Sequence, residues 1–371
     1  MTQLPTRRAN AISCVTTIIV MLSSANCFMT ATHIPSSLIK NAQVRPSDGC
    51  TTCVVWEALM GRQIVHRLLI SMPALIGVLF LCFCLLQVVP ADPAIIIAGP
   101  DAKQETLDAI RKELGLDRPI MVQFFNYIGR VLRGDLGRSI ISNKMVSEEL
   151  AHTIGPTLEL MIGAMLMAVP IGIALGTLAA VKRGTLFDRL IMAISVAGVS
   201  MPVFFIGLLL IQFVGYKWAL LPFTGRTGPV WAGGLPSLIL PAFTLGSVLI
   251  GPIARITRTS VLEVLGADFV RTARAKGLQE RDVIIHHALR NALIPVVTLI
   301  GLQTAFLLGG AVVTETIFSW PGVGRLAVGA IVSSDFPTAQ GAIMILAVAF
   351  LLINLIVDVL YVYLDPRVQR S

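Results

Sequence analysis

This sequence holds little charge. Asp, Glu, Lys and Arg make up 13% of its 371 residues, against roughly a quarter in an average soluble domain. A chain this long could bury a sizeable core, but a water-facing surface would need more charge than this. With a mean hydropathy of +0.81, the deficit points to lipid as the surrounding solvent. The net charge of +8 raises two kinds of partner, nucleic acid and a membrane surface. The basic residues fall between apolar runs and not on one basic domain, so membrane lipid is the expected partner and nucleic acid is not.

Three further absences narrow the chemistry. No G-x-x-x-x-G-K-[ST] phosphate loop is present, so the chain is not expected to hydrolyse ATP itself. The cysteines are Cys14, Cys27, Cys50, Cys53, Cys82 and Cys84. Cys50 and Cys53 form a lone C-x-x-C with no second pair and no histidine cluster, so neither a metal nor a cofactor is expected. His66, His152, His286 and His287 lie outside the apolar cores, and His33 lies in the first sixty residues. No paired acids or Ser–His arrangement sits at membrane depth, so no catalytic residue is assigned.

What is present is a series of long charge-free runs. Six are long enough to cross a bilayer: Leu68–Pro90, Leu160–Val181, Leu190–Tyr216, Leu235–Ala254, Asn291–Thr314 and Phe336–Val357. None shows the alternation of a barrel strand. Backbone groups in hydrocarbon must be satisfied within their own segment, so each run is expected to be helical. The fold class is therefore all-α integral membrane, a six-helix polytopic bundle. Pro73, Pro170, Pro202, Pro241 and Pro252 fall inside these runs and are expected to mark kinks.

Orientation follows from the short loops. One set of loops and ends holds Arg62, Arg67, Lys182, Arg183, Arg189, Arg255, Arg258, Arg271, Arg274, Lys276, Arg281, Arg290, Arg367 and Arg370. The opposite short loops hold only Lys217, Arg226 and Arg325. The first set is cytoplasmic, and both ends of the six-span core lie inside. Residues 62–150 then comprise the first span and a long outer segment. Residues 151–362 hold the other five spans with a cytoplasmic loop over 255–290, and 363–371 form a cytoplasmic tail. Residues 11–31 are a weaker apolar stretch, rich in Ser, Thr and Asn, that resembles a signal segment. Crossing there would put Arg62 and Arg67 on the wrong face. Residues 1–61 are therefore treated as an N-terminal extension, and the working chain is expected to begin at or near Met60.

The loop over 255–290 carries the densest pattern. A short helix is expected from about Ala267 to Lys276, stopped by Gly277, with a second helix starting near Asp282 and feeding the fifth span. On charge alone the loop could simply be a solvated basic face. However, Arg271-Thr-Ala-Arg-Ala-Lys-Gly-Leu278, followed by His287-Ala-Leu-Arg-Asn-Ala-Leu-Ile-Pro295, resembles the cytoplasmic coupling loop of ABC importer permeases. It is most similar to the B-type subunit of the dipeptide/oligopeptide permease family. The general motif is Glu-Ala-Ala, three residues, Gly, nine residues, Ile-x-Leu-Pro. Gly277 and Leu289 match it. Arg271-Thr272-Ala273 stands in place of Glu-Ala-Ala, His287 in place of Ile, and Arg290 in place of the final Pro. Those departures are the ones the peptide branch shows. Leu114-Gly-Leu-Asp-Arg-Pro119, Leu132-Arg-Gly-Asp-Leu-Gly-Arg-Ser139, Glu315-Thr-Ile-Phe-Ser-Trp-Pro-Gly-Val-Gly-Arg325 and Tyr363-Leu-Asp-Pro-Arg367 agree in order and place. The resemblance covers about residues 62–368.

The resemblance implies the type-I permease fold and an importer of the inner membrane. Its expected partners are two cytoplasmic ATPase subunits, a second homologous permease and a periplasmic solute-binding protein. It also implies that the loop's short helix docks on an ATPase and transmits its closure to the spans. The residues expected to do so are Gly266, Ala267, Asp268, Arg271, Thr272, Ala273, Ala275, Lys276, Gly277 and Leu278. Related permeases carry dipeptides, oligopeptides, glutathione or nickel, and no residue here selects among them. The translocation path has no assigned residues. An ion-coupled secondary transporter is the main alternative. It usually needs acids or histidines deep in the membrane, and the centres of these runs have none. A receptor-like or purely structural membrane protein is a further alternative, which the coupling loop disfavours. Weaker signals are a Gly172/Gly176 pair, which fits either close helix approach or ordinary packing. Glu159 and Asp358 lie near span ends, where solvation or a Tyr or Arg partner is expected. An amphipathic segment over 119–132 fits packing on the spans or contact with the outer leaflet or binding protein.

Overall fold

A computed structural model describes residues 72–73, 75–80, 83–84, 103–114 and 117–364, the side chains of 110, 113, 114 and 358–364 excepted. The N-terminal extension, Cys50, Cys53, most of the first predicted span and the end of the tail lie outside the described residues. Among the described residues the chain is helical with no strand; its single β-bridge, Arg138 with Met145, is isolated. The helices are α1 (Gln104–Leu114), α2 (Ile120–Val131), α3 (Val146–Val181), α4 (Leu186–Ser200), α5 (Val203–Leu210), α6 (Leu235–Leu265), α7 (Asp268–Ala275), α8 (Glu280–Ile317), α9 (Val323–Val332) and α10 (Phe336–Leu364). A π-helical turn, Ile211–Lys217, continues α5, and a second, Val283–Leu289, lies within α8.

α3, α6, α8 and α10 are each long and apolar enough to cross a membrane. The expected helices for the second, fourth, fifth and sixth spans are therefore present. α3 starts fourteen residues before its apolar run, with Glu148 and Glu149 in its first turn, where carboxylates complement the helix dipole. Pro156 and Pro170 lie within α3, Pro241 and Pro252 within α6, and Pro295 within α8. These helices pass through their prolines without ending.

The third span differs from the single helix expected. It is two helices, α4 and α5 with its π turn, bent by 104°. The cause is local. A residue before proline is pushed out of the helical region by the ring, and Met201, preceding Pro202, is extended at φ −85° and ψ 131°. Pro202 then opens α5 from the N-cap position.

The chain divides into two compact units. In the first (residues up to 155 and 322–355), Phe124 and Tyr127 of α2 pack on Leu79, Phe83 and Met344. One face of the predicted amphipathic segment thus packs on the spans, while Ile120, Met121, Val122 and Phe125 stay exposed. Asp335 is buried and accepts from the Ser139 hydroxyl, the Ile140 amide and the Thr338 hydroxyl. The Leu132–Ser139 motif ends on that carboxylate.

In the second unit (156–321 and 356 onward), α6 is the hub and packs on α3, α4, α5 and α8. A β-carbon on Gly176 of α3 would lie 2.4 Å from the Ala254 carbonyl oxygen, and one on Gly251 of α6 would lie 2.4 Å from the Ser195 carbonyl oxygen. Backbone meets backbone at both places, which is how membrane helices gain packing without a hydrophobic drive between them. The Gly172/Gly176 pair is therefore a contact face, since Gly172 meets Ile253 of α6 as well.

Candidate functional site

The loop between α6 and α8 folds as a short helix clamped to its flanks. α6 ends at Leu265, and Gly266 and Ala267 turn the chain into α7. α7 has a marked two-sided pattern. Val270 and Ala273, one turn apart, are 0% and 6% exposed and pack with Val283, Val264 and Leu265. Asp268, Phe269, Arg271, Thr272, Arg274 and Ala275 are exposed, as are Lys276, Gly277 and Leu278 beyond the helix. The Asp268 and Arg271 side chains are 97% and 73% exposed, and their ion pair spans 3.6 Å. An exposed pair of this kind adds little stability, so both charges are available to a partner.

The helix stops as expected. Gly277 has φ +79°, the left-handed conformation that favours glycine, and its amide donates to the Arg274 carbonyl at 2.9 Å. Nothing lies within 4 Å of a β-carbon placed there, so a substitution would strain the backbone without a clash. Across the turn, Arg274 donates two hydrogen bonds to the Glu280 carboxylate, at 2.7 and 3.1 Å. That carboxylate raises the Arg274 pKa above its ordinary value.

The ten sequence-assigned residues thus fall within one segment, 266–278, but they do not share one face. Ala273 points into the chain's own core, where its small size permits the approach of α7 to α8. The Arg274–Glu280 brace and the exposed Phe269 were not among the assigned residues; Phe269 and Arg274 lie inside the motif, and Glu280 only two residues beyond Leu278. The helix itself is Asp268–Ala275, with Ala267 and Lys276 as its caps. α8 begins at Glu280 and runs without interruption to Ile317, so the loop joins the fifth span through one continuous helix.

Three polar pairs anchor the same unit. Arg258 of α6 donates to both oxygens of Asp188 in α4, at 2.6 and 2.7 Å, and Gly184 donates its amide to the same carboxylate. Glu159 accepts two hydrogen bonds from Arg226 at 2.8 and 2.9 Å; this is the arginine partner expected for that acid. Glu315 is fully buried and accepts from the Thr157 hydroxyl at 2.7 Å. Nearby, the Trp320 indole donates to the Pro156 carbonyl at 2.8 Å. Glu315 comes directly after the predicted end of the fifth span at Thr314, which is why counting acids inside the apolar runs passed it over. The Asp358 side chain lies outside the described residues. Among the described residues no cluster of His, Cys, Asp and Glu could hold a metal.

Residues 172–370 match the family described as binding-protein-dependent transport system inner membrane component. Residues 60–158 match the N-terminal family of the same membrane components. The chain belongs to this family. It is 45% identical over 310 residues to the glutathione transport system permease protein GsiC of Salmonella typhimurium strain LT2, covering 84% of this chain and 99% of that protein. It is 44% identical, with the same coverage, to the proteins of that name in Escherichia coli K12 and Salmonella typhi. The resemblance seen in the loop motifs is thereby confirmed, and with it the type-I permease fold. The protein is a membrane-embedded permease subunit of an ABC importer, and ion-coupled secondary transport is not favoured. The family implies ATPase and substrate-binding partners.

Proposed function

We propose that this permease carries small peptides across the inner membrane, with glutathione the first solute to test. The observation that carries the solute class is the 45% identity, over nearly the whole length of the relative, to permeases named for glutathione transport. In this reading two separate cytoplasmic ATPase subunits hydrolyse ATP. A second homologous permease completes the path, and a periplasmic binding protein delivers the solute.

The power input is assigned to α7 and its flanks, residues 266–278. The geometry that supports it is a short helix with one face locked to its own chain and the other presenting charge and Phe269. Val270, Ala273 and Val283 couple α7 to the start of α8, so a push on α7 is delivered to the fifth span. A helix held on one side and braced by Arg274–Glu280 is stiff enough to act as a lever. Asp268, Arg271 and Lys276 offer charge complementarity to a docking groove.

The test is uptake of labelled glutathione and labelled dipeptides by a strain lacking its own systems and supplied with the whole transporter. Uptake of neither solute would reject the peptide reading. Arg271→Glu and Gly277→Val are expected to abolish uptake and solute-stimulated ATP hydrolysis while the permease still inserts at normal levels. Normal uptake by both variants would remove the coupling role from this loop.

A further inference from the structure

The break in the third span leaves backbone groups without partners. Met201 is the last residue to donate back into α4, to the Ala197 carbonyl. Pro202 has no amide hydrogen for the Gly198 carbonyl. The chain bends before residues 203 and 204 reach the carbonyls of Val199 and Ser200, and α5's first bonds run instead to Pro202. Among the described residues nothing donates to these three carbonyls. Val199, Ser200, Met201 and Pro202 are exposed.

The depth of the break is set by its neighbours in the same unit. Gly251 of α6 lies against Ser195 and Val199, before the break, and Thr244 of α6 lies against Gly207, after it. The break is therefore level with α6 between residues 244 and 251. The apolar run of that helix, Leu235–Ala254, is centred near residue 244. At 1.5 Å rise per residue the break lies within roughly 10 Å of the middle of the hydrocarbon.

An unpaired carbonyl at that depth cannot face lipid, because each would cost several kcal/mol; irregular backbone there is tolerated where it lines water or is covered by protein. We propose that the Gly198–Pro202 break lines the translocation path, and that the carbonyls of Gly198, Val199 and Ser200, with the Ser200 hydroxyl, form a station for the hydrogen-bond donors of the passing solute. The negative end of the α4 dipole points into the same place. Its ligand class is an ammonium group or peptide N–H. Acceptors without a fixed charge suit a path, since they hold a donor-bearing solute without trapping it as an intramembrane carboxylate would. This station rests on the permease reading above.

The test is cysteine accessibility in membranes carrying the complete transporter. Ser200→Cys is exposed to a membrane-impermeant cationic thiosulfonate reagent, and modification is read at that residue by peptide mass spectrometry, so the native cysteines do not contribute. Leu166→Cys, on the exposed apolar face of α3, is the reference. Ser200→Cys is expected to react at least about tenfold faster than the reference, since only a wetted site admits the reagent. Saturating alanylalanine is expected to slow that reaction. Equal, slow reaction at both positions means that the break is sealed by protein or lipid and overturns the proposal. Fast reaction unaffected by the dipeptide overturns the station while leaving a wet break. Labelling is read without uptake, so failure of the peptide reading in transport assays is a separate result. As a second variant, Pro202→Ala restores an amide facing the Gly198 carbonyl. It is expected to lower uptake at normal expression, and unchanged uptake counts against the station.

Discussion

Single residues in this permease do two kinds of work, and only one kind announces itself in sequence. Gly277 was legible because a glycine closing a short polar helix has few other uses, and its φ of +79° bears that out. Asp188 and Arg258 were not legible as a pair. They stand seventy positions apart; Arg258 read only as one of the loop charges, and nothing in the sequence singled out Asp188. In the fold they meet in a two-pronged hydrogen bond at 2.6 and 2.7 Å, with the Asp188 side chain 5% exposed. Planar, paired geometry of this kind is specific to arginine. Arg258→Lys is therefore expected to lower the thermal midpoint of the detergent-solubilised permease, although charge is kept. Asp188→Asn should lower it as well, and the double variant should lose less than the two single losses added. Strict additivity in that cycle would show that the pair is not coupled.

Elements were legible where lipid dictates them. An apolar run must be a helix in hydrocarbon, and four of the runs are continuous helices here. The third span shows where that reasoning stops. Composition gives an apolar run its helical state but not its straightness, and prolines are not equivalent in this respect. Pro170, Pro241, Pro252 and Pro295 are absorbed by continuous helices, whereas Pro202 ends one. The difference lies in the surroundings, because α6 and α8 both pack on α5 and hold it across the bend. The small residues of α3 were legible as a pattern but not as a contact, since glycine pairs are common in apolar helices. Because a β-carbon on Gly176 would collide with the Ala254 carbonyl oxygen, no side chain can be added without moving α3 off α6. Gly176→Leu is expected to abolish the monodisperse peak of the solubilised protein in size-exclusion chromatography. Gly129→Leu, in α2, where nothing lies within 4 Å, should keep it. A normal peak for Gly176→Leu would mean that the helices separate there at little cost.

For the whole molecule, sidedness was read from the distribution of a few charges and partner class from motifs spread along the chain, and the family match supports the partner class. The solute was not legible, because no residue in the sequence selects among the solutes that related permeases carry. The buried Glu315 and the Arg274–Glu280 brace escaped for a related reason: their meaning lies in what the fold brings beside them. α8 ties these places together, since its 38 residues run from the brace at Glu280 to Glu315 and Ile317. Near its start is the π-helical stretch Val283–Leu289. A π turn carries more chain per turn than an α-helix, so it stores surplus length without disturbing the phase of the helix beyond it. α8 therefore has one region that can lose a residue and another that cannot. Deleting Ile284 lets the wide turn tighten, and the fifth span keeps its orientation. Deleting Val297, in the regular part, rotates everything beyond it by about 100° and turns Glu315 away from Thr157. The first deletion is expected to leave a folded permease and the second to abolish it, as read by expression and size-exclusion profile; equal damage from both would show that the π turn holds no slack.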